Sequence, residues 1–345
     1  MRIPPPDAPE ELVALARERA SARAARDWHR ADALRARIEA AGWRVVDRGT
    51  GFDLALAALP TVELAGRICY GSAAAVPSLL DMPADARFSV QLLAEDRPDD
   101  LTRALAGLRA HATAGTQVVV VANDPSPAQV ERLRPGEANL EPIGGRQPEV
   151  IWTSARLGCA AARNVGLQRA SGEVVVLAET SVEPTGDALS PLAEALADPQ
   201  VAVAGAFGLL AADLRHLERS SGPDADAIDG AWLAFRRDEY RRLGPLDEHF
   251  VAPGYLDAWW SLVLRTGLDP AARPRSARCL ALPILRRADG SSAGLAAVDL
   301  DRQTRRNYYR LLGRFRGRAG ELLGAGSAAG GPTGRPAASG SGSQT

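Results

Sequence analysis

Two uninterrupted apolar runs constrain this chain most: "QVVVVA" at 117–122 and "GEVVVLA" at 172–178. A strand of successive β-branched residues has no polar face to give to water. Both its faces must be covered, which is the situation of parallel sheets flanked by helices. The surrounding segments fit that demand. "RFSVQLLA" (87–94) reads as a strand and "DDLTRALAGLRAHA" (99–112) as a helix opening at an acidic cap. "PAQVERLRP", "VIWTSA" and "CAAARNVGLQRA" continue the alternation. The pattern predicts a doubly wound α/β architecture, in which ligands bind at the carboxyl ends of the strands.

The flanks read differently. Residues 8–41 have the periodicity of a helical hairpin, with Leu12, Leu15 and Arg19 on one helix and Ala31, Leu34 and Ile38 on a second that Asp27 can cap. Gly42 ends it, and "WRVVDRGTGFDLAL" (43–56) reads as strand, turn, strand. The expected organisation is a helical hairpin with a small β element at 1–56, a connector at 57–86 with short strands near 62–64 and 68–70, and the α/β domain at 87–300. A basic amphipathic helix at 301–320 and a disordered Gly/Ser/Ala/Pro tail at 321–345 follow. The segment 301–318 holds seven Arg against one acid, with Tyr308, Leu311, Leu312 and Phe315 on one face. Such a helix can lie on a membrane surface, meet a partner or pack on its own domain.

Composition excludes several classes. A net charge of −1 argues against a chain that coats nucleic acid, and residues 2–48, with ten Arg against eight acids, carry too little excess charge to signal RNA. Cys69, Cys159 and Cys279 have no paired spacing, and the four histidines are dispersed, so neither a disulfide framework nor a zinc site is expected. "MRIPPPDAPEEL" has no apolar segment of the secretory kind, and no run reaches the length of a membrane span. A cytoplasmic location, with peripheral membrane contact through 301–320 as an option, is the expectation.

Four stretches from 87 to 287 resemble the family 2 glycosyltransferases, inverting enzymes of the GT-A fold. "LLAEDRPDDLTRALAGL" is similar to their first strand and helix, and "VVVVANDPS" to their second strand with its "VVDNxS" end. "GCAAARNVGLQRASGEVVVLAETSVEP" resembles "GxxxARNxGIxxAxGEYIxFLDxDxxP". "IDGAWLAFRRDEYRRLGPLDEHFVAPGYLDAWWSLVLRTG" resembles the acceptor-side "RR…GxFDExF…EDxD" segment. The N-terminal "ARAARDWHRADALRARIEAAGWRVVDRGTG" resembles the small C-terminal helical module of cysteinyl-tRNA synthetases, here read as a docking or packing module, for a protein partner, in preference to a tRNA contact.

The resemblance to the glycosyltransferases implies a nucleotide-sugar donor, UDP- or GDP-linked, a hydroxyl acceptor, and Mg²⁺ or Mn²⁺ on an Asp-x-Asp pair. It places Asp257 as the general base, matching the second acid of "ED". Ala94, Glu95, Asn123, Asp124, Arg163, Asn164 and Glu179 fall on the donor side, Glu179 and Ser181 at the metal pair, and Asp229 and Gly230 on the acceptor side. Several positions depart from the pattern. Ala94-Glu95 replaces Thr-Tyr, Ala122 replaces the strand-two Asp, Ser181 replaces a metal carboxylate, Leu256 replaces the Glu of "ED" and Trp259 the last Asp of "EDxD". A hydroxyl in place of a carboxylate weakens a hard-cation site. Three readings follow: a transferase with a weak metal, or with an arginine in the metal's place; a catalytically inactive GT-A scaffold that binds a partner; and, ranked below these, an RNA-associated protein acting through the synthetase-like hairpin.

Overall fold

The computed structural model describes residues 8–48, 51–57, 59–134, 136–137, 140–211, 213–220, 222–269, 272–287 and 297–322. At the N-terminus, helices Glu10–Ala24 and Trp28–Ala40 pack against a hairpin of Trp43–Arg48 and Gly51–Leu56. The Asp27 carboxylate accepts the Arg30 N–H (3.1 Å), and Gly42 supplies φ +77° at the turn into the hairpin. Leu12, Ala16, Ile38 and Trp43 form a core separate from the rest of the molecule, closed by Phe52 and Leu54. Buried Arg19 fastens helix to hairpin through two bonds to Asp47 (2.8 and 3.1 Å), with Arg23 on the same carboxylate. These bonds hold the Asp47 carboxyl below its usual range.

The main body is built on a ten-stranded sheet. Its centre is parallel: Gly172–Ala178, Ala86–Ala94, Gln117–Ala122, Glu149–Thr153 and Arg67–Tyr70 lie side by side in that order. The valine runs do what their composition requires. Val118 and Val120 enter one core with Leu101, Leu105 and Leu108 of helix Pro98–His111, while Val119 and Val121 enter another with Val165 of helix Cys159–Leu167. Val174 and Val176 face the first of these cores, and Val175 and Leu177 a third. Each such side chain contributes roughly 1.5–3 kcal/mol by burial.

Two features differ from the expected organisation. Strand Trp232–Arg236 runs antiparallel between Gly172–Ala178 and Val201–Gly205, so the sheet is mixed. The chain between Val201–Gly205 and Trp232–Arg236 contains a small sheet of Gly208–Ala211, Leu217–Arg219 and Ala227–Ile228 instead of a crossover helix, and a return without a crossover is antiparallel. The segment read as a connector is also part of the sheet. Val62–Leu64 and Arg67–Tyr70 form a hairpin at its edge, with Cys69 opposite Trp152 and Tyr70 opposite Thr153.

Helix Ala297–Phe315 returns to the body. Its Leu311 and Phe315, with Leu322 just beyond, sit in the large core beside Trp259 and Trp260. The Arg314 guanidinium lies 5.3 Å from the Trp259 ring centroid, and the buried Asn307 amide donates to the carbonyls of Ala252 (2.9 Å) and Gly254 (2.8 Å). The apolar face that would enter a lipid surface is therefore covered by the protein itself, leaving Arg302, Arg305, Arg306 and Arg316 outward. Among the described residues no helix is long and apolar enough to cross a membrane. Beyond Leu322, the expected tail lies outside the described residues.

Candidate active site

The sheet brings the candidate residues to one edge. Ala94, Ala122 and Ala178 close three neighbouring parallel strands, so Glu95, Asn123 and Glu179 emerge together. Asp229 and Gly230 reach the same edge because the antiparallel strand Trp232–Arg236 begins there. A cavity of about 360 Å³ opens at this edge, with Glu95, Arg163, Glu179, Ser181, Gly230 and Asp257 in its wall.

Asp257 stands in the first turn of helix Leu256–Thr266. One carboxylate oxygen accepts the Gly230 N–H (3.0 Å) and the other the Ala258 N–H (2.8 Å). Burial raises its pKa to about 6, assisted by the charges of Asp229 and Glu179 and opposed by those two N–H bonds. The contact is close: a Cβ at Gly230 would stand 3.3 Å from the Asp257 Cβ, so a side chain there would have to push it by a few tenths of an ångström. The residue before the helix, Tyr255, holds φ +65°, a conformation that costs a non-glycine residue roughly 1–2 kcal/mol. Its hydroxyl donates to the Arg215 carbonyl (2.8 Å) and its ring meets Tyr308 at 5.7 Å, contacts that offset the strain. Cys159 also lines the cavity, but burial pushes its thiol up to about 12, so it stays protonated and is no nucleophile at neutral pH.

At the expected metal position the side chains are engaged in other bonds. Glu179 Oε2 accepts from the Ser181 hydroxyl (3.1 Å) and from Arg286 Nη2 (3.3 Å), while Arg286 Nη1 donates to Asp229 Oδ2 (2.9 Å). Strand Ile284–Arg286 pairs antiparallel with Val182–Pro184, setting Arg286 opposite Val182 and delivering its guanidinium to the acid pair. The Phe207 ring, 5.2 Å from that guanidinium, supports it from the side. Glu183 faces away and pairs with Arg287 (3.2 Å). Among the described residues no three His, Cys, Asp or Glu side chains converge as a metal site. As arranged, with one carboxylate already bonded to a hydroxyl and a guanidinium, Glu179 and Ser181 do not fit a divalent cation.

Other expected donor-side residues serve the framework. Ala94 is buried in the core beneath the edge. Asn123, fully buried, donates to Glu95 (2.8 Å) and the Leu157 carbonyl (3.2 Å) and accepts the Leu157 N–H (2.8 Å), fixing the loop after strand Glu149–Thr153. Arg156 from that loop pairs with Glu95 (2.9 Å) and Asp96 (3.1 Å). Asp124, at φ +48°, takes a bond from its own N–H to the Thr153 hydroxyl (3.1 Å) and lies outside the cavity wall. Asn164 is fully buried and bonds Leu246 at both N–H (3.0 Å) and C=O (2.9 Å), Tyr240 (3.1 Å) and Glu248 (3.1 Å). It clamps the segment around Leu246–Glu248 to the helix and is not in the wall of the cavity described above. Arg163 does line the cavity. It is 7% exposed, donates only to the carbonyls of Gln91 (3.3 Å) and Ala178 (3.1 Å), and has no carboxylate at salt-bridge distance among the described residues. Trp259, which stands at the last acid of the family pattern, packs with Phe250, Trp260 and the terminal helix.

Arg286 and Arg156 were not legible as site residues in the sequence. Arg286 is 107 positions from Glu179, and only the pairing of its strand with Val182–Pro184 joins them.

With this geometry in view, the fold is of the GT-A type. GalNAc-T7, solved with UDP, GalNAc and Mn²⁺, superposes with a TM-score of 0.51 at 16% identity over 66% of this chain and 48% of that one. A mannosyltransferase of Pyrobaculum calidifontis, PcManGT, solved with GDP-Man and Mn²⁺, gives 0.44 at 19% identity over 60% of this chain and 57% of that one. S. aureus TarS gives 0.45 at 14% over 66% and 44%. Residues 90–255 match the family Glycosyl transferase family 2. Residues 5–52 match the Cysteinyl-tRNA ligase anticodon binding domain, and 51 residues are 47% identical to a cysteine–tRNA ligase of Opitutus terrae. That match takes in 15% of this chain and 11% of the ligase, and the chain spans about half the length of the solved structures it resembles.

Proposed function

We propose that the protein transfers a sugar from a UDP- or GDP-linked donor to a hydroxyl acceptor with inversion, using Asp257 as the general base. The observation that carries this reading is the Asp257 carboxylate, held by two backbone N–H groups at the cavity wall with its pKa raised to about 6. A base of that strength is mostly ionised at neutral pH yet basic enough to take a hydroxyl proton as the bond forms. In the step, the acceptor oxygen attacks the anomeric carbon, its proton passes to Asp257, and the bond from that carbon to the diphosphate oxygen breaks. The departing diphosphate takes the electron pair and needs positive charge beside it. Glu95, anchored by Asn123 and Arg156, borders the nucleoside side of the cavity.

The test is calorimetric titration of UDP, GDP and their sugar conjugates, followed by assay of diphosphate release. Asp257→Asn is expected to abolish transfer, at least 100-fold, while leaving donor affinity within about twofold, and Glu179→Ala is expected to weaken donor binding. If both variants match the unmodified protein, the site assignment is wrong. The alternative, an inactive GT-A scaffold acting through the N-terminal hairpin, is favoured by the separate core of that hairpin. It predicts no binding of any nucleotide by the folded protein.

A further inference from the structure

The acid pair and its arginine carry a consequence for how a diphosphate is held, one that rests on the transferase reading. We propose that Arg286 stands in for the divalent cation, so that this site takes the diphosphate of a nucleotide donor without metal. Three observations converge. Arg286 bridges Glu179 and Asp229, the side chains beside which the departing charge would develop, at 3.3 and 2.9 Å. Those two bonds engage two of its five N–H groups, leaving three to donate to phosphate oxygens. Its head is fixed by the Phe207 ring and by the pairing of strand Ile284–Arg286 with Val182–Pro184, immediately after the Glu179–Ser181 turn.

The second cation is Arg163. It is more than nine-tenths buried in the cavity wall, and its side chain donates to carbonyls alone: no carboxylate of the described residues pairs with it directly, and the charges of Glu179 and Glu95 nearby offset only part of the cost of its burial. A buried guanidinium in that state is costly unless an anion arrives. A nucleoside diphosphate would supply that anion at this cavity, whose wall includes Glu179, the carboxylate that Arg286 holds. Glu179 and Asp229 then act as positioning residues for Arg286, which explains why one acid of the metal pair can be a serine: Ser181 donates to Glu179 and needs to bind nothing else.

Fixed cations differ from a bound ion in one measurable way: their charge is present in a chelator. The experiment is calorimetric titration of the full-length protein with UDP and with GDP, in excess EDTA and then with Mn²⁺ or Mg²⁺ added. Expected is binding of one nucleotide in EDTA with an affinity that changes less than about threefold on adding either metal. Arg286→Ala is expected to weaken that metal-free binding at least tenfold, Arg286→Lys to recover part of it, and Arg287→Ala, whose partner is Glu183, to leave it unchanged. Circular dichroism melting confirms that each variant is folded, and the chelator comparison on the unmodified chain stands without any variant. Binding that appears only with metal overturns the proposal and leaves the transferase reading intact. Absence of binding under every condition overturns the transferase reading, and this proposal with it.

Discussion

At the scale of single residues, Asp257 and Asn164 show opposite uses of a buried polar side chain. Asp257 is raised to about 6 chiefly by burial and then by Asp229 and Glu179. As a base it must be deprotonated, so kcat/KM should rise with pH to a plateau above about pH 7, with its acid limb centred near 6, and fall as pH drops through that value. The same shift has a stability sign. The folded state binds this proton more tightly than the unfolded chain, so the contribution favours folding at low pH and is lost as pH rises through about 6. The stability gap between Asp257→Asn and the unmodified protein should therefore move in the variant's favour from pH 5 to pH 8, measured by urea unfolding at each pH. Asn164 meets Leu246, Tyr240 and Glu248 with both ends of its amide. Asn164→Ala leaves the buried Leu246 backbone groups and Tyr240 hydroxyl unpaired, and a loss of roughly 3 kcal/mol in denaturant unfolding is expected.

At the scale of elements, the site depends on how closely helix Cys159–Leu167 approaches the sheet. Gly166 permits that approach. A Cβ there would stand 2.1 Å from the Gln91 amide nitrogen and 2.8 Å from a Val121 methyl. Gln91 donates to the Arg163 carbonyl (2.7 Å), so its displacement disturbs the turn that aims Arg163 into the cavity. Gly166→Ala should cost about 1–3 kcal/mol by overpacking and weaken nucleotide binding, whereas Gly313→Ala, with nothing within 4 Å, should do neither. Both are read from one melting series and one titration. The "ARNxG" stretch thus divides its work: Asn164 and Gly166 hold the framework, and Arg163 lines the cavity.

At the scale of the molecule, the N-terminal hairpin and the GT-A body have separate cores. Removal of residues 1–57 should leave the melting temperature of the body within about 2 °C and its nucleotide affinity unchanged, by calorimetry of the shortened chain. A drop larger than that would reveal a packing contribution from the hairpin. The other end of the chain behaves differently. Helix Ala297–Phe315 enters the large core, and its Asn307 holds the carbonyls of Ala252 and Gly254, the loop that leads into the Asp257 helix.

The valine runs by themselves determined a sheet covered on both faces, because no strand of four β-branched residues can present a polar side to water. The hairpin was equally legible, since Asp27, Gly42 and the Ala31, Leu34 and Ile38 spacing act locally. Local sequence could not decide the fate of the 301–320 helix: an amphipathic face satisfies lipid, partner or its own domain alike, and only the packing of Leu311 and Phe315 against Trp259 and its neighbours chose among them. The charge beside Glu179 was equally out of reach. Arg286 becomes its neighbour only when two distant three-residue strands pair, and hydrogen bonding between backbones carries almost no signature in the side chains it brings together.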